Sequence, residues 1–191
     1  MTKRKLVIIG ISTGGPKTLR TLFSGLPKLN GSIVIVQHML KCGNDGLRMT
    51  LDRVTEMNVK IANENDNLEA GTVYIAPSEI HLELSDNQRV QFSNGPKVCF
   101  VKPSADVTMK SLKKNNEDTI IGIIMTGMGK DGADGIGHIK SIGGTTFAQD
   151  EETSVIWGMP KVAINNGHID SVLSPEQIRE ELILKLGLLN G

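Results

Sequence analysis

Leu6-Val7-Ile8-Ile9-Gly10-Ile11-Ser12-Thr13-Gly14-Gly15-Pro16 decides the fold. An unbroken apolar run bounded by glycines reads as a strand buried on both faces, the condition of a parallel sheet covered by helices. Gly14 and Gly15 permit a tight turn, and Pro16 suits the first turn of a helix. Ser12 therefore stands at the carboxyl end of a strand, beside a helix N-terminus whose free amides favour negative charge. Three readings of this turn stand side by side. Gly10-Ile11-Ser12-Thr13-Gly14 fits G-x-S-x-G, the elbow that presents a nucleophilic serine. Gly10 to Thr18 nearly fits the phosphate-binding G-x-x-x-x-G-K-[ST], but Pro16 is inserted before Lys17 and has no amide to offer a phosphate. The third reading is a glycine turn that only packs a helix on a sheet.

Working outward, Ser32-Ile33-Val34-Ile35-Val36-Gln37 is a second buried strand with His38 at its carboxyl end. A third, Thr119-Ile120-Ile121-Gly122-Ile123-Ile124-Met125, empties into Thr126-Gly127-Met128-Gly129-Lys130-Asp131-Gly132. Helical patterns cover 17–24, 44–57, 105–114, 133–142, 161–165 and 175–186, with Ser104 an N-cap for the third. Further strands fall at 145–148 and 169–173. Segment 59–100 is loop-rich, and the alternation around Leu82, Leu84, Val90 and Phe92 marks half-exposed antiparallel strands. Strands alternating with helices predict an α/β fold: a doubly wound, mostly parallel sheet with helices on both faces and an antiparallel hairpin insertion at about 59–100. One domain is expected over residues 1–191.

Composition narrows the function classes. Lys+Arg 21 balance Asp+Glu 21, so no global field recruits nucleic acid or an anionic membrane. With 3% aromatic residues, stacking platforms for single-stranded nucleic acid are missing. No apolar run reaches membrane-spanning length, and the basic N-terminus is followed by too short an apolar run for a signal peptide. Cys42 and Cys99 form no metal or redox motif and read as reduced thiols. A soluble, cytoplasmic protein is expected.

In an open parallel sheet, functional groups gather beyond the carboxyl ends of the strands. Here those ends carry Ser12, His38 and Asp131, the residue types of a nucleophile, a general base and an orienting carboxylate. A hydroxyl attacks poorly unless an imidazole takes its proton, and a carboxylate fixes the imidazole tautomer. Each has a plainer reading. His38 could be a satisfied polar residue, as His81, His138 and His168 are taken to be, and Asp131 could be a helix N-cap. Gly127, Gly129 and Gly132 also match G-x-G-x-x-G, with Asp150 downstream, but in a late strand and not the opening unit. No H-E-x-x-H or comparable ligand cluster supports a metal, and no cofactor is expected.

Taken together, Gly10 to Pro16, Val36-Gln37-His38-Met39, Tyr74-Ile75-Ala76-Pro77 with His81, and Thr126 to Gly132 resemble the catalytic domain of the chemotaxis protein-glutamate methylesterase family. Ala148-Gln149-Asp150-Glu151 and Gly158-Met159-Pro160 extend the likeness over nearly the whole chain. The resemblance implies hydrolysis of glutamyl methyl esters on the cytoplasmic helices of methyl-accepting chemoreceptors, releasing methanol, with glutamine deamidation as a second activity. Ser12, His38 and Asp131 fall on the family's triad positions. The resemblance also implies an oxyanion donor at the Met128 backbone and a histidine-supporting hydroxyl at Thr13. The chain departs from the family pattern at Lys102, where arginine is usual, and in the segment 40–44. The family's phospho-receiver domain is not in this chain, which reads as an excised domain or a stand-alone enzyme. The expected reaction runs through an acyl-enzyme on Ser12, with the oxyanion received by amides between Thr13, Gly14 and Gly15 and at Met128. The rival readings are a non-enzymatic nucleotide-binding module and a domain that only docks on receptors.

Overall fold

The computed structural model describes residues 3–39, 43–86 and 89–189. Cys42 and the segment from Leu40 that departs from the family pattern begin outside the described residues. The first strand, β1 (Lys5–Ile11), turns into α1 (Gly15–Phe23), and β2 (Ser32–Gln37) pairs beside it in parallel with Ile11 opposite Gln37. There follow α2 (Asn44–Asp52), β3 (Asn58–Ile61), β4 (Thr72–Ile75), β5 (His81–Leu84), β6 (Val90–Ser93) and α3 (Ala105–Lys110). The chain then forms β7 (Thr119–Ile124), α4 (Ala133–Ser141), β8 (Thr145–Gln149), α5 (Met159–Asn165), β9 (Ser171–Leu173) and α6 (Pro175–Leu186).

The main sheet has seven strands in the order β3-β4-β2-β1-β7-β8-β9, paired in parallel throughout. Alternation along β1 divides the core. Val7, Ile9 and Ile11 face α1 and α6 with Leu19, Phe23, Ile178 and Leu182, whereas Leu6 and Ile8 face the layer of α3 to α5 with Met109, Ile136 and Ala163. A strand apolar on both faces finds enough partners only between two helical layers, so the two-sided pattern and the doubly wound sheet are one fact. The order reverses at β1: on one side the chain lays down β2, then the edge strand β3, then β4 between them, and later it steps outward through β7 to β9 on the other. The strand ends beside β1 border the crevice where such sheets place their ligands.

The expected hairpin insertion is smaller than its sequence suggested. Only β5 and β6 form an antiparallel pair, with Leu82 opposite Phe92 and Leu84 opposite Val90. Asn58–Ile61 and Thr72–Ile75 instead join the main sheet as parallel strands. They were hidden because the connection between them contains no helix, the punctuation by which a parallel crossover is recognised. Two helices are also shorter than their patterns. After α2, Thr55 Oγ donates to the Leu26 carbonyl (2.9 Å) and accepts from the Met57 amide (3.2 Å). After α3, Ser111 accepts from the Leu84 amide (2.9 Å) and so ties the helix end to the hairpin. Among the described residues no helix is long and apolar enough to cross a membrane.

Candidate active site

The carboxyl ends of β1, β2 and β7 lie side by side. Beyond the β1–β2 ladder, the His38 amide donates to the Ile11 carbonyl (3.1 Å), and on the other flank the Ser12 amide donates to Thr126 (2.9 Å). Ser12 and His38 are therefore register neighbours across adjoining strands, whose spacing is about 4.8 Å. At Ser12 the chain leaves the sheet. Gly14 adopts φ 83° as the cap of α1, a left-handed conformation that glycine reaches without a Cβ penalty. The Gly15 amide closes the turn on the Ser12 carbonyl (2.8 Å).

His38 and Asp131 meet directly. His38 Nε2 lies 2.7 Å from Asp131 Oδ2, with both side chains nearly buried. Asp131 also accepts from Ser104 Oγ (2.6 Å) and from the Ala105 (2.7 Å) and Asp106 (3.2 Å) amides at the start of α3. Burial by itself would raise this carboxyl, but the hydrogen bonds from His38, Ser104 and Ala105 outweigh it and hold Asp131 below the usual carboxylate range. An ionised carboxylate only accepts, so His38 Nε2 carries a proton in this contact, and in the neutral imidazole Nδ1 is then the acceptor. The Ser12 hydroxyl makes no hydrogen bond among the described residues, so the structure joins His38 to Asp131 and leaves Ser12 beside them.

The loop after β7 is fixed by polar side chains buried in the core. Gln149 Oε1 accepts from the Thr126 amide (2.8 Å), while Thr126 Oγ donates to the Thr13 carbonyl (2.9 Å) and accepts from the Ile156 amide (3.0 Å). Gly127 lies so close under the serine that an added Cβ would stand 2.6 Å from Ser12 Cβ. Met128 follows, 74% exposed. Among the described residues the amides of Thr13, Gly14 and Met128 donate to no protein acceptor. Such amides beside the serine are what a developing oxyanion needs. Thr13 is exposed, and its hydroxyl makes no hydrogen bond among the described residues.

Asp106 sits behind Asp131, buried, accepting from the Gly135 amide in the first turn of α4 (2.7 Å). Burial pushes its carboxyl up, and the negative charge of Asp131 pushes the same way. Cys99 is a free thiol with Sγ 3.9 Å from Asp106 Oδ2, and burial together with Asp106 and Asp131 raises it. Ligand atoms of Cys99, Asp106 and Asp131 lie within 4.8 Å of one another. Both carboxylates are already engaged by backbone or side-chain donors, which is the chemistry of a hydrogen-bonded pair and not of a prepared cation site. A cavity of about 440 Å³ opens beside His38 between Met39, Phe100 and Lys102.

The other histidines sit apart from this constellation. His81 Nε2 pairs with the Pro96 carbonyl (2.9 Å), His138 Nε2 with Leu112 (2.8 Å) and His168 Nδ1 with Ala133 (3.3 Å). The second glycine loop serves the serine's surroundings, and Asp150 accepts from Thr153 in its own loop (3.0 Å). Gln37, Thr126 and Gln149 lie within the motifs quoted from the sequence, which gave them no role, and nothing there singled out Asp106. For Gln37, Thr126 and Gln149 the one signal was polarity at or just past the carboxyl end of a mostly apolar strand, and Asp106, in the first turn of α3, had none beyond its place after the Ser104 cap.

The CheB methylesterase family model matches residues 7–182. A protein-glutamate methylesterase/protein-glutamine glutaminase of Pyrococcus horikoshii is 39% identical over 192 residues, covering 98% of this chain and 52% of that protein. Its Thermotoga maritima counterpart is 42% identical over 183 residues, covering 94% of this chain and 53% of that protein. The crystal structure of the Thermotoga maritima CheB methylesterase catalytic domain superposes with a TM-score of 0.90 at 40% identity, covering 96% of this chain and 99% of that one. The chain spans about half the length of the curated relatives it matches. On the strength of the family model and these relatives, the chain belongs to the CheB methylesterase family.

Proposed function

We propose that the chain is a serine esterase that hydrolyses glutamyl methyl esters of chemoreceptors, with glutamine deamidation as a second activity of the same site. The observation that carries this reading is the 2.7 Å contact between His38 Nε2 and Asp131 Oδ2, one strand away from Ser12. Ser12 Oγ attacks the ester carbonyl and gives its proton to His38 Nδ1, the nitrogen that Asp131 leaves free. Asp131 stabilises the imidazolium. The free amides of Gly14 and Met128 receive the oxyanion, with that of Thr13 beside them. Collapse of the tetrahedral adduct breaks the ester C–O bond, the His38 proton leaves with methanol, and water then releases the new carboxylate by the same steps in reverse. A glutamine amide would leave as ammonia by the same route.

The relatives' names supply the substrate class, and the elbow, the His38–Asp131 hydrogen bond and the free amides support the chemistry. As partners we propose the cytoplasmic helices of methyl-accepting receptors and a phospho-receiver domain, with a cytoplasmic location to match. The test is methanol release from methyl-labelled receptor membranes. Ser12→Ala is expected to lose at least about 10³-fold in kcat, because the members of a triad act as a unit. Near-normal release by a folded Ser12→Ala protein would remove the serine mechanism.

A further inference from the structure

Gln37 is buried at the last position of β2, directly opposite Ile11 and one residue before His38. Its side-chain amide spans the gap where β1 and β2 part. Nε2 donates to the Ser12 carbonyl (3.0 Å) and to the His38 carbonyl (2.9 Å). Both of its N–H bonds are thereby spent on the backbones of the nucleophile and the base. The other end of the same amide is left wanting: Gln37 Oε1 is buried and has no hydrogen-bond partner among the described residues. A buried, unsatisfied carbonyl is costly, and an apolar side chain of equal volume would avoid the cost. The orphaned oxygen also occupies the place of a side chain. A Cβ built on Gly15 would fall 1.8 Å from Oε1, so the glutamine fits only because residue 15 has none.

From these contacts we infer that Gln37 is a positioning residue for the hydrolysis proposed above. It is a side-chain rung that continues the β1–β2 ladder for one step after the chains diverge, and it fixes the separation of Ser12 from His38. The inference rests on the esterase reading for its kinetic consequence but not for its geometric one. Proton transfer depends steeply on that separation, and a displacement of about 1 Å costs about 10²-fold in rate. Gly15 belongs to the same device from the other side. Its helical backbone would accept alanine, yet the added methyl would push the Gln37 amide off its two carbonyls.

The test uses Gln37→Met, which keeps the volume and removes both donors, and Gly15→Ala, which keeps the donors and displaces them. Kinetics on methyl-labelled receptor membranes are expected to show kcat lower by about 10²-fold in each variant, with KM within about threefold of the parent. Crystal structures of the variants are expected to show the Ser12 and His38 carbonyls moved apart by more than about 0.5 Å, the tolerance of a working constellation. Parental kcat in either folded variant, or unchanged carbonyl positions, would overturn the inference. Should Gln37→Met fail to fold, Gly15→Ala carries both readouts alone. If the parent itself releases no methanol, the esterase reading falls, while the carbonyl separation in the variants still decides the role of Gln37.

Discussion

At Asp131 one carboxylate receives an imidazole N–H, a hydroxyl and two backbone amides. Every strong lone-pair direction is in use, so the group has no rotameric freedom left, and the ring bound to it inherits that rigidity. Ser104 is the accessory that sequence had announced for another reason. It was legible as a helix cap, and it is one, accepting from the Val107 amide (3.4 Å), but the same hydroxyl donates to Asp131. Ser104→Ala removes both. Loss of the cap is expected to cost about 1 kcal/mol of stability. Loss of a hydrogen bond to a charged group loosens the carboxylate and is expected to lower kcat roughly tenfold, the equivalent of about 1.4 kcal/mol in the barrier. Urea unfolding and methanol-release kinetics on one preparation separate the two effects. A variant that lost stability and kept its kcat would reduce Ser104 to a cap.

Between elements, α3 and α4 exchange carboxylates. Asp131, just before α4, accepts from the first amides of α3, and Asp106, in the first turn of α3, accepts from the Gly135 amide of α4. Each helix start receives negative charge from the other segment, which favours both dipoles and locks the pair that carries the site. The two caps differ in their response to pH. Asp106 has a raised carboxyl, because burial, aided by the Asp131 charge, outweighs the lowering by the Gly135 amide. An acid raised in the folded state contributes most when protonated, and that contribution is lost as pH rises through its folded value. Asp106→Asn keeps an acceptor for Gly135 and carries no charge to desolvate. Its Tm is therefore expected to exceed the parent's at pH about 8, with the gap narrowing as pH falls to about 4. A gap that widened on acidification would reverse the sign assigned to Asp106. Element boundaries were readable where local chemistry is decisive. The strand Ser32–Gln37 carries an unbroken apolar run from Ile33 to Val36, and α6 opens with a full capping box between Ser174 and Gln177. β3 and β4 were not readable as parallel strands, since only the sheet, not the four residues of each, decides their partners.

Across the whole molecule, acidic side chains act as clasps between distant parts of the chain. Asp118 accepts from the Arg4 backbone and guanidinium, tying the start of β7 to the start of β1, and Asp170 accepts from the Thr146 amide beside β8. For Asp118, Asp131 and Asp170 burial pushes upward but is outweighed: by Arg4 and the Asn115 amide, by the donors around Asp131, and by Thr146 with Lys140. All three are held below the ordinary value of about 3.9. A depressed carboxyl contributes stability above its unfolded value and loses it as pH falls through the folded one. Asp106 works in the opposite sense, one group against three. The urea midpoint is thus expected to hold from pH about 7 to 5 and fall below about 4, less steeply in Asp118→Asn. A midpoint unchanged down to pH about 2 would contradict this. At this scale the sequence displayed the three strand ends and the nucleophile turn, because each is a local pattern on an apolar run. It concealed the buried network of Gln37, Thr126 and Gln149, whose bonds from Gln37 to Ser12, from Thr126 to Gln149 and from Thr126 to Thr13 span 25, 23 and 113 residues and leave no periodic trace. The reciprocal caps of α3 and α4 bear finally on how competence is judged in kindred chains. Since Asp131 holds a helix start as well as a ring, a descendant that had lost hydrolysis would still be under pressure to retain it for folding. Ser12, whose hydroxyl makes no hydrogen bond among the described residues, would drift first. An intact aspartate is then weak testimony of a working enzyme, and an intact serine is strong.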